Sequence, residues 1–320
     1  MRSTMRHPYA IPTSHMAIIL LILSFLIIAF TSGHANAAER GRVTIQNGTV
    51  YTDRGTIIRG MTMAVMYGPG NSRNAAYWQY MNKTLKMNAV RLGVKTGQIG
   101  RTVQQQLTYI DYVVDSAAQN GMYVMINNSI LPGGYDIKQL TAFWSAVASR
   151  YANRTHVFYE MTNEPVQGGP VWGNPPQFTS KVLSDFQGLY NLMRKGAPNT
   201  HIVLFPTPNL WPDCATYAAF LSKLQWVDWS KSSLGFHHYQ GTERFGEDNL
   251  KCLRAKYPLL MTETNYWMRR DVANMRYVLN LYEKLGMSWF SLDGKGQAPY
   301  LHYEILPQLQ RDGYSWNDAG

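Results

Sequence analysis

Eight short, largely apolar runs recur along this chain, at 57–64, 88–94, 122–127, 157–162, 201–206, 233–238, 258–262 and 287–292, with helical patterns between them. A strand that alternates apolar and polar residues has one wet face. A run that is apolar almost throughout is covered on both faces, and that pattern belongs to parallel sheets overlaid by helices. Eight strand–helix units close into a (β/α)8 TIM barrel. An open doubly wound sheet is the alternative, but no glycine-rich phosphate turn follows the first strand.

Local signals agree with this alternation. Asn47-Gly48 sits between two alternating runs and predicts a short N-terminal β-hairpin. Asp53-Arg54-Gly55 turns the chain into the first buried strand. Thr102 and Gln105 form a capping-box pattern ahead of Val103, Leu107, Ile110, Val113, Val114 and Ala117 on one helical face, which Gly121 ends. Asp136 caps a helix carrying Leu140, Phe143, Trp144, Val147 and Tyr151. Another helix runs from about Phe178 to Lys195, and one behind an Asp271 cap carries Val272, Met275, Leu279, Tyr282 and Leu285.

The first 37 residues stand apart. Arg2 and Arg6 precede the unbroken apolar run Ala17–Phe30, and Ala35 and Ala37 occupy the small-residue positions of a cleavage site. Residues 1–37 read as a secretory signal, with an uncleaved anchor as the alternative. The exported chain, 38–320, is then 320 − 37 = 283 residues, one domain of barrel size with no later run long enough to span a bilayer. It is expected outside the cytoplasm, extracellular or periplasmic.

The net charge of +10 falls to +8 without the two leading arginines, and the remaining basic residues are scattered. Nucleic-acid proteins concentrate them on one element, so no nucleic-acid partner is expected. Cys214 and Cys252 are the two cysteines. They either close one disulfide, as export allows, or stay as two buried thiols.

In a closed βα barrel the reactive groups sit at the C-terminal ends of the strands. Read in order, those ends carry Arg91, Asn163-Glu164, His237-His238-Tyr239, Glu263 and, in the last strand, Trp289. Two carboxylates at one mouth suit acetal cleavage: one protonates the leaving oxygen while the other attacks the anomeric carbon or activates water. Serine chemistry lacks its Gly-x-Ser-x-Gly elbow. A zinc hydrolase fits poorly, because adjacent His237 and His238 point to opposite sides of a strand and there is no His-Glu-x-x-His run. Neither a metal nor another cofactor is expected.

The ordered segments "IIRGM", "NAVRLGV", "YEMTNEP", "FHHY", "MTETNY" and "SWFSLDG" resemble clan A glycoside hydrolases, closest to family 5, the cellulase-like enzymes, over nearly all of the exported chain. The resemblance implies a secreted retaining glycoside hydrolase acting on a β-linked polysaccharide or oligosaccharide, β-glucan or cellulose-like or mannan. Transglycosylation by the same residues and a non-catalytic carbohydrate-binding barrel are the alternatives. Position by position, it makes Glu164 the acid/base and Glu263 the nucleophile. Asn163 would hold the sugar 2-hydroxyl, Arg91 and Tyr239 would orient Glu263 and keep it ionised, and His237 would bind sugar. Trp289 would be the stacking platform, with Phe290 as the alternative in that place. The carboxyl groups would lie roughly 5–5.5 Å apart, with Glu164 holding its proton. Asn127-Asn128-Ser129 stands where the family commonly has a histidine.

Other residues carry blander expectations. Glu160 shares the parity of Glu164 and should pair inside the barrel with Arg59 or Arg91. His238 should be packed or surface-facing rather than a ligand, and Asp213 and Asp293 should serve loops or caps. Trp172, Trp211 and Trp267 are expected to line the cleft. Asn47 and Asn153 head sequons, informative where the host glycosylates.

Overall fold

The computed structural model describes residues 40–64, 75–94, 102–128, 136–165, 180–204, 214–238, 247–264 and 272–291. The chain divides into two compact units, 1–36 and 37–320, and the described residues all belong to the second.

The eight expected strands are present. β3 (Arg59–Ala64), β4 (Ala89–Val94), β5 (Tyr123–Asn128), β6 (Val157–Glu160), β7 (Ile202–Leu204), β8 (Ser232–His238), β9 (Leu259–Thr264) and β10 (Trp289–Ser291) pair in parallel in chain order. The last of them returns to the first through Trp289↔Arg59, Phe290↔Gly60 and Ser291↔Met61, so the sheet closes. An open doubly wound sheet is thereby excluded. Along the chain come α1 (Ala75–Gln79), α2 (Val103–Gln119), α3 (Ile137–Arg150), α4 (Ser180–Gly196), α5 (Cys214–Leu221), α6 (Glu247–Arg254) and α7 (Val272–Leu285).

Strand alternation sorts the apolar side chains into two cores. Val90, Leu92, Val124, Ile126, Tyr159 and Leu234 point outward and join Leu107, Ile110, Phe143, Trp144 and Met193 of the helices. Ala89, Tyr123, Met125, Phe158, Val203, Leu260 and Phe290 point inward and fill the barrel. Gly60 makes room for the last of these, since a Cβ there would lie 2.1 Å from Phe290 Cδ1.

The hairpin forms as its turn signal requires. β1 (Thr44–Gln46) and β2 (Thr49–Tyr51) are antiparallel, and Asn47 and Gly48 both take positive φ, 49° and 69°, the condition for a two-residue type I′ turn. The strand β2 meets the first residue of β9 through Thr49↔Leu259. The hairpin therefore lies at the N-terminal end of the barrel, where Val50 joins the interior core. Tyr123 ties the following turn to this floor by donating to Asp53 Oδ1 at 2.8 Å and accepting from Asp53 N at 2.9 Å.

The caps hold as well. Thr102 Oγ1 accepts from Gln105 N at 3.3 Å while Gln105 Oε1 accepts from Thr102 N at 2.9 Å, and Asp136 accepts from the amides of Lys138 and Gln139. Gly121 follows α2 with φ 63°. Asp271, Phe178 and Thr179 lie outside the described residues, so α4 is described from Ser180. Cys214 and Cys252 pair, joining α5 to α6. Among the described residues no helix is long and apolar enough to cross a membrane.

Candidate active site

The inward positions change character along the barrel axis. Phe158 belongs to the apolar interior, and two residues further along the same strand Glu160 is buried as a carboxylate. Ala89 and Arg91 stand in the same relation on β4, as do Met125 and Asn127 on β5. A polar layer therefore lies over an apolar floor, at the C-terminal ends of the strands.

Arg91 organises that layer. Its side chain is 1% exposed. The Nε donates to Glu160 Oε2, Nη1 to Glu263 Oε1, and Nη2 to Asn163 Oδ1, the last at 2.7 Å. Asn127 Nδ2 adds a second donor to Glu160 Oε2 at 2.8 Å. Burial opposes the Arg91 charge, but Glu160 and Glu263 outweigh it and raise its pKa. Of the two arginines considered for Glu160, Arg91 is the partner. Arg59 has outward parity and forms a bidentate pair with Glu283 of α7, both bonds at 2.8 Å.

Simple alternation would not bring Glu263 to this layer. Leu260 faces inward, so an unbroken β9 would turn Thr262 inward and Glu263 out. The pairing slips instead: Phe236 lies opposite Met261 but His237 lies opposite Glu263, and on the other side Trp289 and Ser291 lie opposite Met261 and Thr264. One extra residue on β9 forms a bulge, which re-aims the next side chain. Glu263 thus enters the barrel beside His237, and Thr264 turns out to bond His238 O at 3.3 Å.

Glu164 arrives differently. Asn163 N bonds Asn128 O at 3.0 Å, continuing the line of β6. The next residue, Glu164, then takes φ 36°, in the left-handed region. A non-glycine residue held there costs on the order of 1–3 kcal/mol, and such strain concentrates at functional sites. The turn carries the Glu164 carboxyl to His237, whose Nδ1 lies 2.6 Å from Glu164 Oε1 and 3.5 Å from Glu263 Oε2. One ligand-type atom from each of Glu164, His237 and Glu263 falls within 4.8 Å of the others.

The two carboxyls differ in surroundings. Glu164 is 38% exposed and Glu263 7%. Burial raises the Glu263 pKa; His237 and Arg91 pull it down, Glu164 and Glu160 push it up, and the net is an increase. For Glu164 burial also acts upward, but His237 and then Arg91 outweigh it and the net is a decrease. This order is opposite to the one expected from the family roles. The deeper burial of Glu263 is the first cause, and His237, which stands closer to Glu164, adds to it.

Arg91, Asn163, Glu164, His237 and Glu263 are therefore brought together. Trp289 is not. It is fully buried among the outer core residues, and its indole Nε1 donates to Glu283 Oε1 at 2.9 Å. The ring belongs to the outer core beside α7 while the inward residue of β10 is Phe290, so the expected platform role is corrected. The alternative, Phe290, fills the floor against Gly60. Of the two places expected for His238, packed or surface-facing, it takes the first, with Nδ1 3.0 Å from Tyr282 Oη, and burial lowers its pKa to about 4. Tyr239, Trp172, Trp211, Trp267, Asp213 and Asp293 lie outside the described residues. Asn127 was missed as part of the network. Its parity with Tyr123 and Met125 was the available signal.

Known proteins of similar sequence and shape carry this arrangement to a family. Endoglucanase E-5 of Thermobifida fusca is 31% identical over 74 residues, 22% of this chain and 16% of the endoglucanase. Cellulase CelDZ1 of a Thermoanaerobacterium species is 27% identical over 147 residues, 44% of this chain and 35% of the cellulase. The matched segments thus span well under two thirds of either relative's length. In fold, the β-glucanase SdGluc5_26A of Saccharophagus degradans, solved in complex with cellotetraose, aligns with TM-score 0.67 at 16% identity over 88% of this chain and 96% of its own. The catalytic domain of the T. fusca endoglucanase Cel5A aligns with TM-score 0.64 at 18% identity, over 78% of this chain and 84% of its own. The family model for cellulase, glycosyl hydrolase family 5, matches residues 51–292, and the chain belongs to that family.

Proposed function

We propose that the protein is a secreted retaining glycoside hydrolase that cleaves β-linked glucan, or mannan, with Glu263 as nucleophile and Glu164 as acid/base. The observation that carries the reading is the convergence of two carboxylates, from the bulge of β9 and the turn after β6, at one barrel mouth with an oxygen of each within 4.8 Å. Close carboxyls suit attack by one of them, whereas an inverting pair is about 6.5–9.5 Å apart to admit a water. In the first step Glu263 bonds to the anomeric carbon as the glycosidic oxygen leaves with the proton of Glu164. In the second, Glu164 takes a proton from water, whose oxygen displaces Glu263 and regenerates both carboxyls.

The reading requires Glu164 to be the protonated partner when the sugar is in place. Coupled carboxyls at this separation titrate as a pair, and small changes in surroundings decide where the proton sits. Glu263 is already buried, whereas Glu164 is 38% exposed. A sugar covering the mouth removes water chiefly from Glu164 and so raises its proton affinity relative to Glu263. Arg91 and Asn163, held together at 2.7 Å, would position the nucleophile and the sugar 2-hydroxyl.

Export behind a signal of residues 1–37 belongs to the same proposal, and the Cys214–Cys252 pair supports it, since structural disulfides persist in oxidising compartments. The exported protein should begin at Ala38. The function itself is tested by reducing-sugar release from a panel of β-glucans, cellulose and mannan. Cleavage of one of them that Glu263→Ala abolishes is expected, and wild-type protein inert on the whole panel would overturn the reading in favour of a binding barrel.

A further inference from the structure

Glu160 takes no part in the two steps above, yet it is a fully buried carboxylate in the barrel. Its Oε2 accepts from Arg91 and Asn127, while its buried Oε1 accepts from no group among the described residues. For stability alone the position is a poor use of a charge. Well-packed apolar residues serve a core at least as well as a buried ion pair, and half-satisfied polar groups are worse than either.

Arg91 supplies the reason. A guanidinium presents its N–H groups in a rigid plane, and here that plane serves three residues at once: Glu160 at Nε, Glu263 at Nη1 and Asn163 at Nη2. The Nε contact sets the rotation of the plane about the side chain, and so fixes where the two Nη groups point. It also engages the Arg91 charge from a second side. The charged and titratable groups acting on Glu263 from the described elements are Arg91 on β4, Glu160 on β6, Glu164 just after it and His237 on β8.

We propose that Glu160 is a positioning residue that acts on Glu263 through Arg91, fixing the rotation of the guanidinium and taking a share of its charge. The role presupposes the nucleophile assignment made above. With Glu160 present, Arg91 orients Glu263 without pressing its full charge on it, so the carboxylate keeps the basicity that a nucleophile needs. Asn127, as the second donor to Glu160 Oε2 at 2.8 Å, steadies the same contact.

Two substitutions separate charge from geometry. Glu160→Gln keeps an oxygen for Arg91 Nε but removes the charge, and Glu160→Asp keeps the charge but withdraws it. In kcat/KM against pH on an activated aryl cello-oligosaccharide, Glu160→Gln should move the acidic limb down by about one unit or more, the scale of a neighbouring charge in a buried site. Glu160→Asp should leave that limb in place and lower kcat with little change in KM. A carboxyl 13C NMR titration of Glu263 in wild type and Glu160→Gln gives the same comparison without turnover, and the Glu263 midpoint should fall. Wild-type protein without activity would refute the functional reading, and the NMR arm would still decide the role of Glu160. Unchanged limbs and an unchanged Glu263 midpoint in Glu160→Gln, with folded protein confirmed by its melt, would overturn the proposal. If Glu160→Gln does not fold, a Glu160→Asp variant with wild-type kcat would overturn it.

Discussion

Arg91→Met removes a cation that faces two buried carboxylates. The side chains of Arg91, Glu160 and Glu263 are 1%, 0% and 7% exposed, so water cannot replace the lost contacts. Removing one partner of a buried pair costs about 3–5 kcal/mol at neutral pH. A domain of this size loses about 2–4 °C of Tm per kcal/mol, which gives a fall of about 6–20 °C. The sign of the pH dependence follows from linkage. The Glu263 carboxyl is already raised, and without Arg91 it rises further above its unfolded value. The folded variant then binds more protons than the unfolded chain, so stability present below the unfolded carboxylate pKa is lost as pH rises through the folded values. Thermal melts should therefore show a gap between wild type and Arg91→Met that is wide near pH 7 and narrow near pH 4. Arg91→Met/Glu160→Gln, with one uncompensated charge fewer, should close part of it. A neutral-pH gap under about 2 °C, or one wider at low pH, would refute the reasoning.

Three further outcomes follow from packing. Trp289→Phe should leave KM and kcat for oligosaccharides unchanged, because the ring lies between barrel and α7, while Trp289→Ala should cost about 3–5 kcal/mol of stability; a lowered oligosaccharide affinity in Trp289→Phe would return that residue to the cleft. The Cys214–Cys252 pair closes a separation of 38 residues, for which chain entropy gives about 4 kcal/mol, so the double alanine variant should melt about 8 °C or more below wild type. Two free thiols in the exported protein would contradict the pairing. Gly60→Ala would set a methyl 2.1 Å from Phe290 Cδ1 and should cost about 1–3 kcal/mol by overpacking. Phe290→Leu should recover part of that loss in the double variant, and strict additivity would argue against the contact.

The barrel was legible in the sequence because its signals are local. Strands apolar on both faces, the Thr102–Gln105 box, the Asp136 cap and the Asn47-Gly48 turn each depend on a few adjacent residues, and each forms as read. The residues brought to the mouth were legible because they follow apolar runs whose ends define one rim. What failed depended on facing across the sheet. The bulge on β9 arises from pairing with β8 and β10, and nothing within "LLMTET" marks it. Trp289 was taken for a platform because an aromatic residue near a strand end suits a sugar. The inward residue of that strand is Phe290, and Glu283, six positions upstream on α7, draws the indole outward. The order of the Glu164 and Glu263 proton affinities depends on how deeply each carboxyl is buried and how closely each approaches His237, features of the folded mouth with no pattern in one dimension.

The most direct measurement is the anomeric configuration of the first product, followed by 1H NMR during cleavage of a β-linked cello-oligosaccharide. With Glu263 as nucleophile and Glu164 as acid/base, the β-anomer should form first and then mutarotate toward the equilibrium mixture. The α-anomer as first product would contradict the account, since it would require Glu263 or Glu164 to activate a water across a gap wider than the one that now brings an oxygen of each within 4.8 Å.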